Sequence, residues 1–340
     1  MALIPIEVAE SDTKTYLKKF AIDPFHVGKV RNSYEYPGRY DLRIVEATDR
    51  LSIFDFVLNA RVPFKGEVLT ALTHFWLTGI LKKIPNHLAY SSMHPNQSMI
   101  HDLIELFPKI SARNCLVVKN IEIPPFESIF RYYIGGSVYK DYQKTGMAGG
   151  NRLPINLPKW TKLDEPIFTP STKGAKDINI TVAEYIKDLG LRGEKSIEMF
   201  KSAYKKAFRY AFRRGIIILD AKFEGLDEIG DELLTPDCSR FVTINDYNLA
   251  MEEGRDPVFY DKEVVREWGK KVITPFSDSD GNQIIGINNL DPENKQHVDF
   301  VHRVTVPEEI ISETTERYHK IFVMLTGFEL KEYQQKFMGI

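Results

Sequence analysis

The feature that most constrains the fold is an apolar run at residues 216–219 that leads directly into alternating charges. The run predicts a buried strand. Residues 198–214 place aromatic and small side chains at helical spacing, so we expect a helix immediately before this strand. If the strand continues, Asp220, Lys222 and Glu224 share one of its faces. Such a row of charges at a strand end is costly unless it binds something.

A second acidic stretch begins at Asp231, seven residues after Glu224. A turn between them would bring the two carboxylates together. Two carboxylates combined with the phosphates of a ligand are a usual way to hold Mg²⁺. The alternative is a ladder of surface salt bridges that binds nothing. These residues alone leave both interpretations open.

Three further polar clusters stand beside strand or turn patterns. Residues 28–34 place two cations beside a glycine, which suits phosphate oxygens, although an exposed basic hairpin turn would look the same. Residues 47–55 gather charges at a strand end, where an N-cap with a local Asp–Arg pair is the alternative. Residues 131–137 follow a strand with Gly-Gly-Ser, and residues 166–173 form a rigid turn with hydroxyls and a cation. Simple turn chemistry is the alternative for these last two.

The rest of the chain alternates short strands with helices. The patterns predict strands at 41–47 and 114–119, helices at 67–83 and 307–325, a helix from the Thr181–Glu184 capping box to Gly190, and a surface loop or short hairpin at 277–294. Pro124 and Pro125 are the best candidate for a boundary. We therefore expect a two-lobed α+β protein, with lobes at 1–123 and 124–340 and the active site in the cleft between them.

Composition excludes several classes of function. The 45 Lys and Arg residues nearly balance 47 Asp and Glu, for a net charge of -2, whereas nucleic-acid binding needs a basic excess. Two cysteines, Cys115 and Cys238, cannot build a disulfide framework or a four-cysteine zinc site. No apolar stretch approaches the ~18 residues of a membrane span, and the N-terminus lacks a signal-peptide pattern. The residues alone thus predict a cytoplasmic, Mg²⁺-dependent enzyme acting on a nucleotide or phosphometabolite.

Taken in order, the clusters resemble the SAICAR synthetase (phosphoribosylaminoimidazole-succinocarboxamide synthase) family. Any one segment is weakly specific, but nine in the right order, over about residues 27–327, make coincidence implausible. The segments are GKVRNSY at 28–34, ATDRLSIFD at 47–55, VPFKGEVLTALTHFW at 62–76, RYYIGGSVYKDYQKTG at 131–146, EPIFTPSTK at 165–173, ILDAKFE at 218–224, DELLTPDCSRF at 231–241, FYDKEVVREW at 259–268 and VPEEII at 306–311.

The resemblance implies a two-lobed α+β fold distantly similar to protein kinases and ATP-grasp enzymes. It also implies an ATP-dependent ligase of purine biosynthesis that uses Mg²⁺. The family joins 5-aminoimidazole-4-carboxyribonucleotide (CAIR) to L-aspartate through an acyl phosphate, giving SAICAR, ADP and phosphate. We expect a monomer or homodimer that binds neither nucleic acid nor membranes. The alternatives are another ATP-dependent phosphotransferase on the same fold and a non-catalytic nucleotide-binding protein.

The resemblance assigns roles residue by residue. The ATP-binding residues are Gly28, Lys29, Val30, Arg31 and Lys119. The metal-binding residues are Glu224 and Asp231. The substrate-binding residues are Asp49, Arg50, Ser52, Lys65, Arg131, Ser137, Lys222, Asp237 and Arg240. The catalytic residues are Lys29, Arg31, Asp220, Lys222 and Asp237.

The chain departs from the family pattern at several positions. Asn32 replaces the Asp that usually closes the phosphate loop, and Tyr132 replaces a Gly. Lys176 stands in place of the His of a His-Asp pair, Gly225 stands where a Phe is usual, and residues 269–305 are extra. All of the implied charged ligands are retained, which argues against a pseudoenzyme. We therefore expect a tuned phosphate loop rather than an inactive one.

Overall fold

The computed structural model of the protein describes residues 3–91, 98–174 and 178–340, with Ser137 described by its backbone alone. In chain order the strands are β1 His26–Val27, β2 Arg31–Tyr36, β3 Arg39–Ala47, β4 Arg50–Ile53, β5 Phe56–Arg61, β6 Cys115–Lys119, β7 Phe126–Tyr133, β8 Met147–Ala148, β9 Asn151–Arg152, β10 Lys162–Phe168, β11 Ser171–Thr172, β12 Ile216–Gly225, β13 Ile229–Gly230, β14 Ser239–Thr243, β15 Ile273–Ser277 and β16 Gln283–Ile285. The helices are α1 Ile6–Ala9, α2 Asp12–Lys18, α3 Lys65–Phe75, α4 Ile100–Leu106, α5 Gly136–Thr145, α6 Val182–Phe212, α7 Ile244–Glu253, α8 Glu263–Gly269, α9 Lys295–Val301, α10 Glu308–Thr326 and α11 Leu330–Tyr333. These elements confirm the predicted α+β class.

The chain divides into two compact units. The first unit contains Met1–Ala71, Leu88–Asn120 and Tyr260–Ile340, and the second contains Leu72–His87 and Ile121–Phe259. The change at residue 120 lies close to the predicted boundary at 123/124. Residues 260–340, however, pack with the first unit, whereas the predicted C-terminal lobe of 124–340 included them. The compact units therefore divide the chain differently from the predicted lobes.

The first unit is built on an antiparallel sheet in the order β1-β2-β3-β6. A separate hairpin, β4–β5, packs against the last part of the chain, Tyr260–Ile340, which we call the C-terminal segment. The core between them is apolar and fully buried, and its members are Leu51, Ile53, Phe56, Leu58, Val62, Val265, Ile287, Leu290, Val298, Val301 and Val306. The extra residues 269–305 thus contribute core to the hairpin that begins at Arg50.

The second unit is built on a sheet in the order β10-β7-β12-β13, with β11 added to β7 and β14 to β12. Strand β12 is the predicted buried strand. The helix predicted immediately before it is part of α6 and packs on this sheet, where the Phe200 ring stacks on Phe223 with centroids 5.4 Å apart. Thr181 and Glu184 form the predicted capping box. Gly190 breaks α6 with φ 57°, as its predicted place at a helix end requires.

The remaining predicted elements are also present. The predicted strands 41–47 and 114–119 correspond to β3 and β6, and the predicted helix 67–83 corresponds to α3 with the π-helical turn Trp76–Ile80. Helix α10 ends at Gly327, whose φ is 80°. The predicted loop or hairpin at 277–294 includes part of the β15–β16 hairpin. Among the described residues, no helix has the length and apolar character needed to cross a membrane.

Candidate active site

The basic cluster of the first unit forms a tight turn between β1 and β2, which we call the phosphate turn (residues 28–31). The Gly28 N–H donates to the Arg31 carbonyl at 2.7 Å, which leaves Lys29 and Val30 at the tip. The Val30 carbonyl accepts from the backbone N–H of Thr48 at 2.9 Å and from its hydroxyl at 2.8 Å. The second polar cluster of the sequence therefore holds the first one in place.

Lys119 lies elsewhere in the same sheet. It pairs with Leu42 of β3, whereas Arg31 pairs with Ala47 at the other end of that strand. Five residues of extended strand correspond to about 17 Å. The structure thus groups Gly28, Lys29, Val30 and Arg31 in one turn but does not bring Lys119 to it.

Arg50 holds the phosphate turn through the backbone carbonyls of the turn. Its Nε donates to the Lys29 carbonyl at 3.1 Å, and its Nη2 donates to the Gly28 carbonyl at 3.0 Å and to Asn32 Oδ1 at 2.9 Å. The residue is only 1% exposed. A guanidinium presents several donors in a rigid plane, so it can hold two successive carbonyls at a fixed separation. In this geometry Arg50, predicted to bind substrate, shapes the turn.

Asn32 explains how the chain accommodates its departure from the family pattern. Its Nδ2 donates to Glu46 Oε2 at 2.7 Å, and the Tyr34 hydroxyl donates to the same oxygen at 2.8 Å. All three side chains are buried. Burial, together with the Glu46 carboxylate, raises the pKa of Tyr34. The negative charge near Arg50 is therefore carried by Glu46 on β3, and Asn32 links the two.

Of the other predicted substrate-binding residues of the first unit, Ser52 and Lys65 are buried and Asp49 is partly buried. Asp49 Oδ1 accepts from the Gly66 N–H at 2.8 Å at the start of α3, and burial raises the pKa of Asp49. A Cβ at Gly66 would lie 2.3 Å from the Ala47 carbonyl oxygen, so only glycine permits this approach. Ser52 and Lys65 are buried on β4 and α3.

In the second unit, two arginines converge on one carboxylate. Arg131 of β7 and Arg240 of β14 each donate to Asp220 Oδ2, from Arg131 at 2.7 Å. Arg131 also donates from Nε to Thr169 Oγ1 at 2.7 Å. Burial lowers the pKa of Arg131, and Asp220 opposes this effect. The registers of β7 and β14 on β12, both opposite Asp220, create this convergence.

The charged row of β12 continues as an ion-pair ladder that we define as Glu127, Lys222, Glu224 and Lys173. Lys222 Nζ lies 3.0 Å from Glu127 Oε1 and 2.9 Å from Glu224 Oε1, and Lys173 pairs with Glu224 Oε2. Burial acts to lower the pKa of Lys222, but Glu224, Glu127, Asp231 and Glu232 together keep it well above its usual range. The row thus is a salt-bridge ladder in which Glu224 is buried, Glu127 and Lys222 are partly buried, and Lys173 is exposed.

The predicted turn between Glu224 and Asp231 is a tight hairpin. Glu224 pairs with Gly230, the residue before Asp231, and Asp231 has a φ of 53°. Gly225 has a φ of 113°, and a Cβ there would lie 2.0 Å from the Glu228 carbonyl oxygen. The departure at Gly225 is therefore what permits the hairpin.

The donors of this hairpin fit a hard cation. Carboxylate oxygens suit Mg²⁺, which usually takes one or two of them and completes its shell with phosphates and water. Among the described residues no group of three or more His, Cys, Asp or Glu forms a metal site by itself. Lys173 and Lys222 pair with the two oxygens of Glu224, so a cation that binds this carboxylate competes with these two ammonium groups for its lone pairs.

The Gly-Gly-Ser cluster lies at the start of α5. A Cβ on Gly135 would lie 1.9 Å from Cζ3 of Trp160, and one on Gly136 would lie 2.8 Å from Nη2 of Arg240. The two glycines therefore let α5 approach the tryptophan and the arginine closely. Ser137 is the second residue of α5, and its side chain lies outside the described part of the structure.

The remaining predicted positions stand as follows. Asp237 follows Thr235 in the turn before β14, and its N–H donates to the Thr235 hydroxyl at 3.3 Å. Tyr132 packs between aromatic rings of α6, with its centroid 4.5 Å from that of Phe208, so the departure there fills core. The departure at Lys176 lies outside the described residues.

The sequence analysis did not single out Glu127, Glu46 or Asp55. Glu127 shares a strand face with Arg131 four residues later, and this alternation could have identified it. Asp55 ends the second polar cluster and pairs with Lys29. Glu46 precedes that cluster and looked like an ordinary strand residue.

The comparisons with known proteins show the family of this chain. The model of the SAICAR synthetase family matches residues 24–282. The chain belongs to the SAICAR synthetase family. It is 36% identical to phosphoribosylaminoimidazole-succinocarboxamide synthase of Thermodesulfovibrio yellowstonii over 314 residues, 88% of this chain and 94% of that protein. The corresponding enzyme of Actinobacillus succinogenes is 36% identical over 91% of this chain and 100% of its own length.

A solved structure supports the same assignment. The SAICAR synthase of Saccharomyces cerevisiae, solved in complex with SAICAR, superposes with a TM-score of 0.71 at 30% identity, covering 91% of this chain and 96% of that one. Members of the SAICAR synthetase family join CAIR and aspartate in purine biosynthesis. The predicted family, fold class and ligase class are thereby confirmed.

Proposed function

We propose that this SAICAR synthetase uses ATP to join CAIR to L-aspartate, with the residue roles set out below. A carboxylate is a poor electrophile because oxide is not expelled at neutral pH. An oxygen of the CAIR carboxylate therefore attacks the γ-phosphorus of ATP. The bond to ADP breaks, and an acyl phosphate of CAIR results. The aspartate amine then attacks the acyl carbon, phosphate leaves, and the amine proton passes to solvent.

The phosphate turn is the proposed site for the ATP phosphates. Phosphoryl transfer depends on positioning and charge neutralisation more than on covalent help. Lys29 lies at the tip of the turn and is partly exposed, so its ammonium can reach a ligand. Arg31 follows at the start of β2. Arg50 contributes by fixing the Gly28 and Lys29 carbonyls, which sets the direction of the turn.

The residues around Asp220 are the proposed CAIR site. Arg131 and Arg240 provide paired donors that match phosphate and carboxylate groups, and Asp220 holds both guanidinium planes in place. Lys222 adds a cation on the same strand face. Asp237 orients the ribose or the imidazole amine. Ser137, Asp49, Ser52 and Lys65 stay predicted substrate-binding residues.

Glu224 and Asp231 would hold Mg²⁺, which when bound supplies positive charge to the phosphates. Lys222 is fixed between Glu127 and Glu224, so the ladder keeps a cation beside this pair in any case. The cytoplasmic location and the monomeric or homodimeric state predicted from the sequence belong to the same proposal.

One observation carries the proposal: a largely buried, fully charged strand face that runs from Asp220 to Glu224 in the second unit. Buried charges of this density are weak contributors to stability, so a ligand with several anionic groups is their best explanation. The test is ADP release from Mg-ATP with CAIR and L-aspartate omitted in turn. We expect release that depends on both, together with a product that absorbs as the succinocarboxamide.

Other outcomes point to the alternatives. ADP release that does not need CAIR would indicate a different phosphotransferase. ATP binding without release would indicate a nucleotide-binding protein. The variant Asp231→Asn sharpens the distinction, because a ligase should lose turnover by orders of magnitude whereas a binding protein should lose only some nucleotide affinity.

A further inference from the structure

The tip of the β4–β5 hairpin has an unusual backbone. Ile53 pairs with Phe56, so Phe54 and Asp55 form a two-residue turn, and their φ values are 49° and 69°. Turns with two positive φ values favour Asn-Gly or Asp-Gly, because side chains with a Cβ resist this conformation. A bulky aromatic residue at the first position is a marked exception. Strained residues persist only where the surrounding structure holds them, and they cluster at functional sites.

The surrounding structure here is the C-terminal segment. Phe54 packs against the core that Val265, Ile287 and their neighbours form with the hairpin. Gly269 lies close to the tip, since a Cβ there would lie 2.6 Å from Ile53 Cδ1 and 3.5 Å from Phe54 Cε2. The aromatic ring therefore anchors the strained tip to residues near the start of the extra segment 269–305.

The anchored tip carries a carboxylate to the phosphate turn. Asp55 pairs with the ammonium of Lys29, and the two side chains are 25% and 37% exposed, so the pair is open to a ligand. An ammonium has three donors, and one bond to Asp55 leaves two for phosphate oxygens. Lysine loses much rotamer freedom when it binds a ligand, and a tether that orders it beforehand reduces this loss.

We propose that Asp55 is a positioning residue that holds Lys29 ready for the ATP phosphates, and that the C-terminal segment serves this function by anchoring Phe54. The inference rests on the proposed function, because it takes the phosphate turn as the ATP site. It assigns a role to residues 269–305. It also predicts that a negative charge near the phosphates improves ATP binding, which is opposite to the effect of simple repulsion.

The test is ATP binding by calorimetry to the wild type, Asp55→Asn, Lys29→Ala and the double variant. Asparagine tolerates positive φ well, so Asp55→Asn removes the charge and leaves the turn intact. We expect this variant to bind ATP about five-fold more weakly, with an unchanged melting temperature, and to have no further effect in the Lys29→Ala background. Asp41→Asn is the matched control, since Asp41 is an exposed acid on β3, in the sheet that carries the phosphate turn, and pairs with Arg39.

Three results would overturn the inference. Asp55→Asn could bind ATP as tightly as the wild type or more tightly, or it could weaken binding equally with and without Lys29. If the wild type binds no ATP, the proposed function fails together with the inference, whereas wild-type binding without an Asp55 effect overturns the inference alone.

A second variant tests the anchor: Phe54→Asn relieves the backbone strain but removes the aromatic ring. We expect weaker ATP binding with Asp55 still present, and unchanged binding would refute the role of the C-terminal segment.

Discussion

Replacing Asn32 with Asp restores the residue that the family pattern favours, yet the structure predicts that it destabilises this protein. The Nδ2 of Asn32 lies 2.7 Å from Glu46 Oε2, in a site where both side chains are buried. A second carboxylate there would face the first one. Two like charges at 4 Å repel by about 4 kcal/mol at an effective dielectric constant of 20. A stronger bond from Arg50 to the new carboxylate returns about 1.5 kcal/mol. The net loss at pH 7 is therefore about 2.5 kcal/mol.

The pH dependence identifies the mechanism. The variant relieves the repulsion by keeping one proton on the carboxylate pair, whereas the unfolded chain loses that proton above a pH of about 4. The folded variant then binds one more proton than the unfolded chain, so its stability falls by about 1.4 kcal/mol for each pH unit of increase. The loss relative to the wild type should be close to zero near pH 4, about 1.4 kcal/mol at pH 5, and reach its full value of about 2.5 kcal/mol near pH 6.

Urea unfolding of Asn32→Asp at pH 5 and pH 7 provides the measurement. The double variant Asn32→Asp/Glu46→Gln exchanges the two groups, so it restores one charge and one amide and should recover most of the stability at both pH values. A variant as stable as the wild type at pH 7, or a loss independent of pH, would refute the reasoning. It would show that this buried site tolerates two charges.

Two further predictions concern the second unit. Gly135→Ala should cost about 3 kcal/mol in urea unfolding, because the new Cβ would overlap the ring of Trp160, whereas Gly79→Ala, whose Cβ meets nothing within 4 Å, should be neutral or slightly stabilising. Equal effects of the two changes would contradict the packing argument. Burial lowers the pKa of His74 to about 4, so the folded state stays neutral where the unfolded chain gains a proton. The free energy of unfolding should keep its full His74 contribution above pH 6.5 and fall by about 3 kcal/mol between pH 6.5 and 4. In His74→Gln this fall should be absent.

Local features of the site were predictable from the sequence. The phosphate turn, the charged face of β12 and the capping box each depend on residues within a few positions, so periodicity and turn chemistry were sufficient to place them. The hairpin between Glu224 and Asp231 was predicted from spacing alone. These elements are short, and their side-chain directions follow from the strand repeat.

The partners of these local features were not predictable in the same way. Glu46 meets Asn32 through the register of β3 on β2, and Glu127 meets Lys222 through the register of β7 on β12. Register is set by tertiary packing, which a single sequence does not display. The placement of Lys119 at the far end of its sheet has the same origin.

The predicted C-terminal lobe differed from the compact units for a related reason. Residues 260–340 carry ordinary amphipathic helices, and nothing in their pattern says which sheet or hairpin their apolar faces cover. The core that includes Val298 and Val306 is completed by Leu51 and Ile53, some 250 residues earlier. Such a non-local pairing leaves no trace in spacing or composition.

This arrangement has a consequence for the order in which the protein matures during synthesis. Domains generally fold as the chain emerges from the ribosome, N-terminal parts first. The β4–β5 hairpin emerges early, but its apolar side stays uncovered until the residues up to Val306 have been made. Until then the nascent chain exposes leucine and isoleucine side chains of this hairpin. A chain that stops before these residues therefore keeps an apolar surface of the hairpin exposed to water.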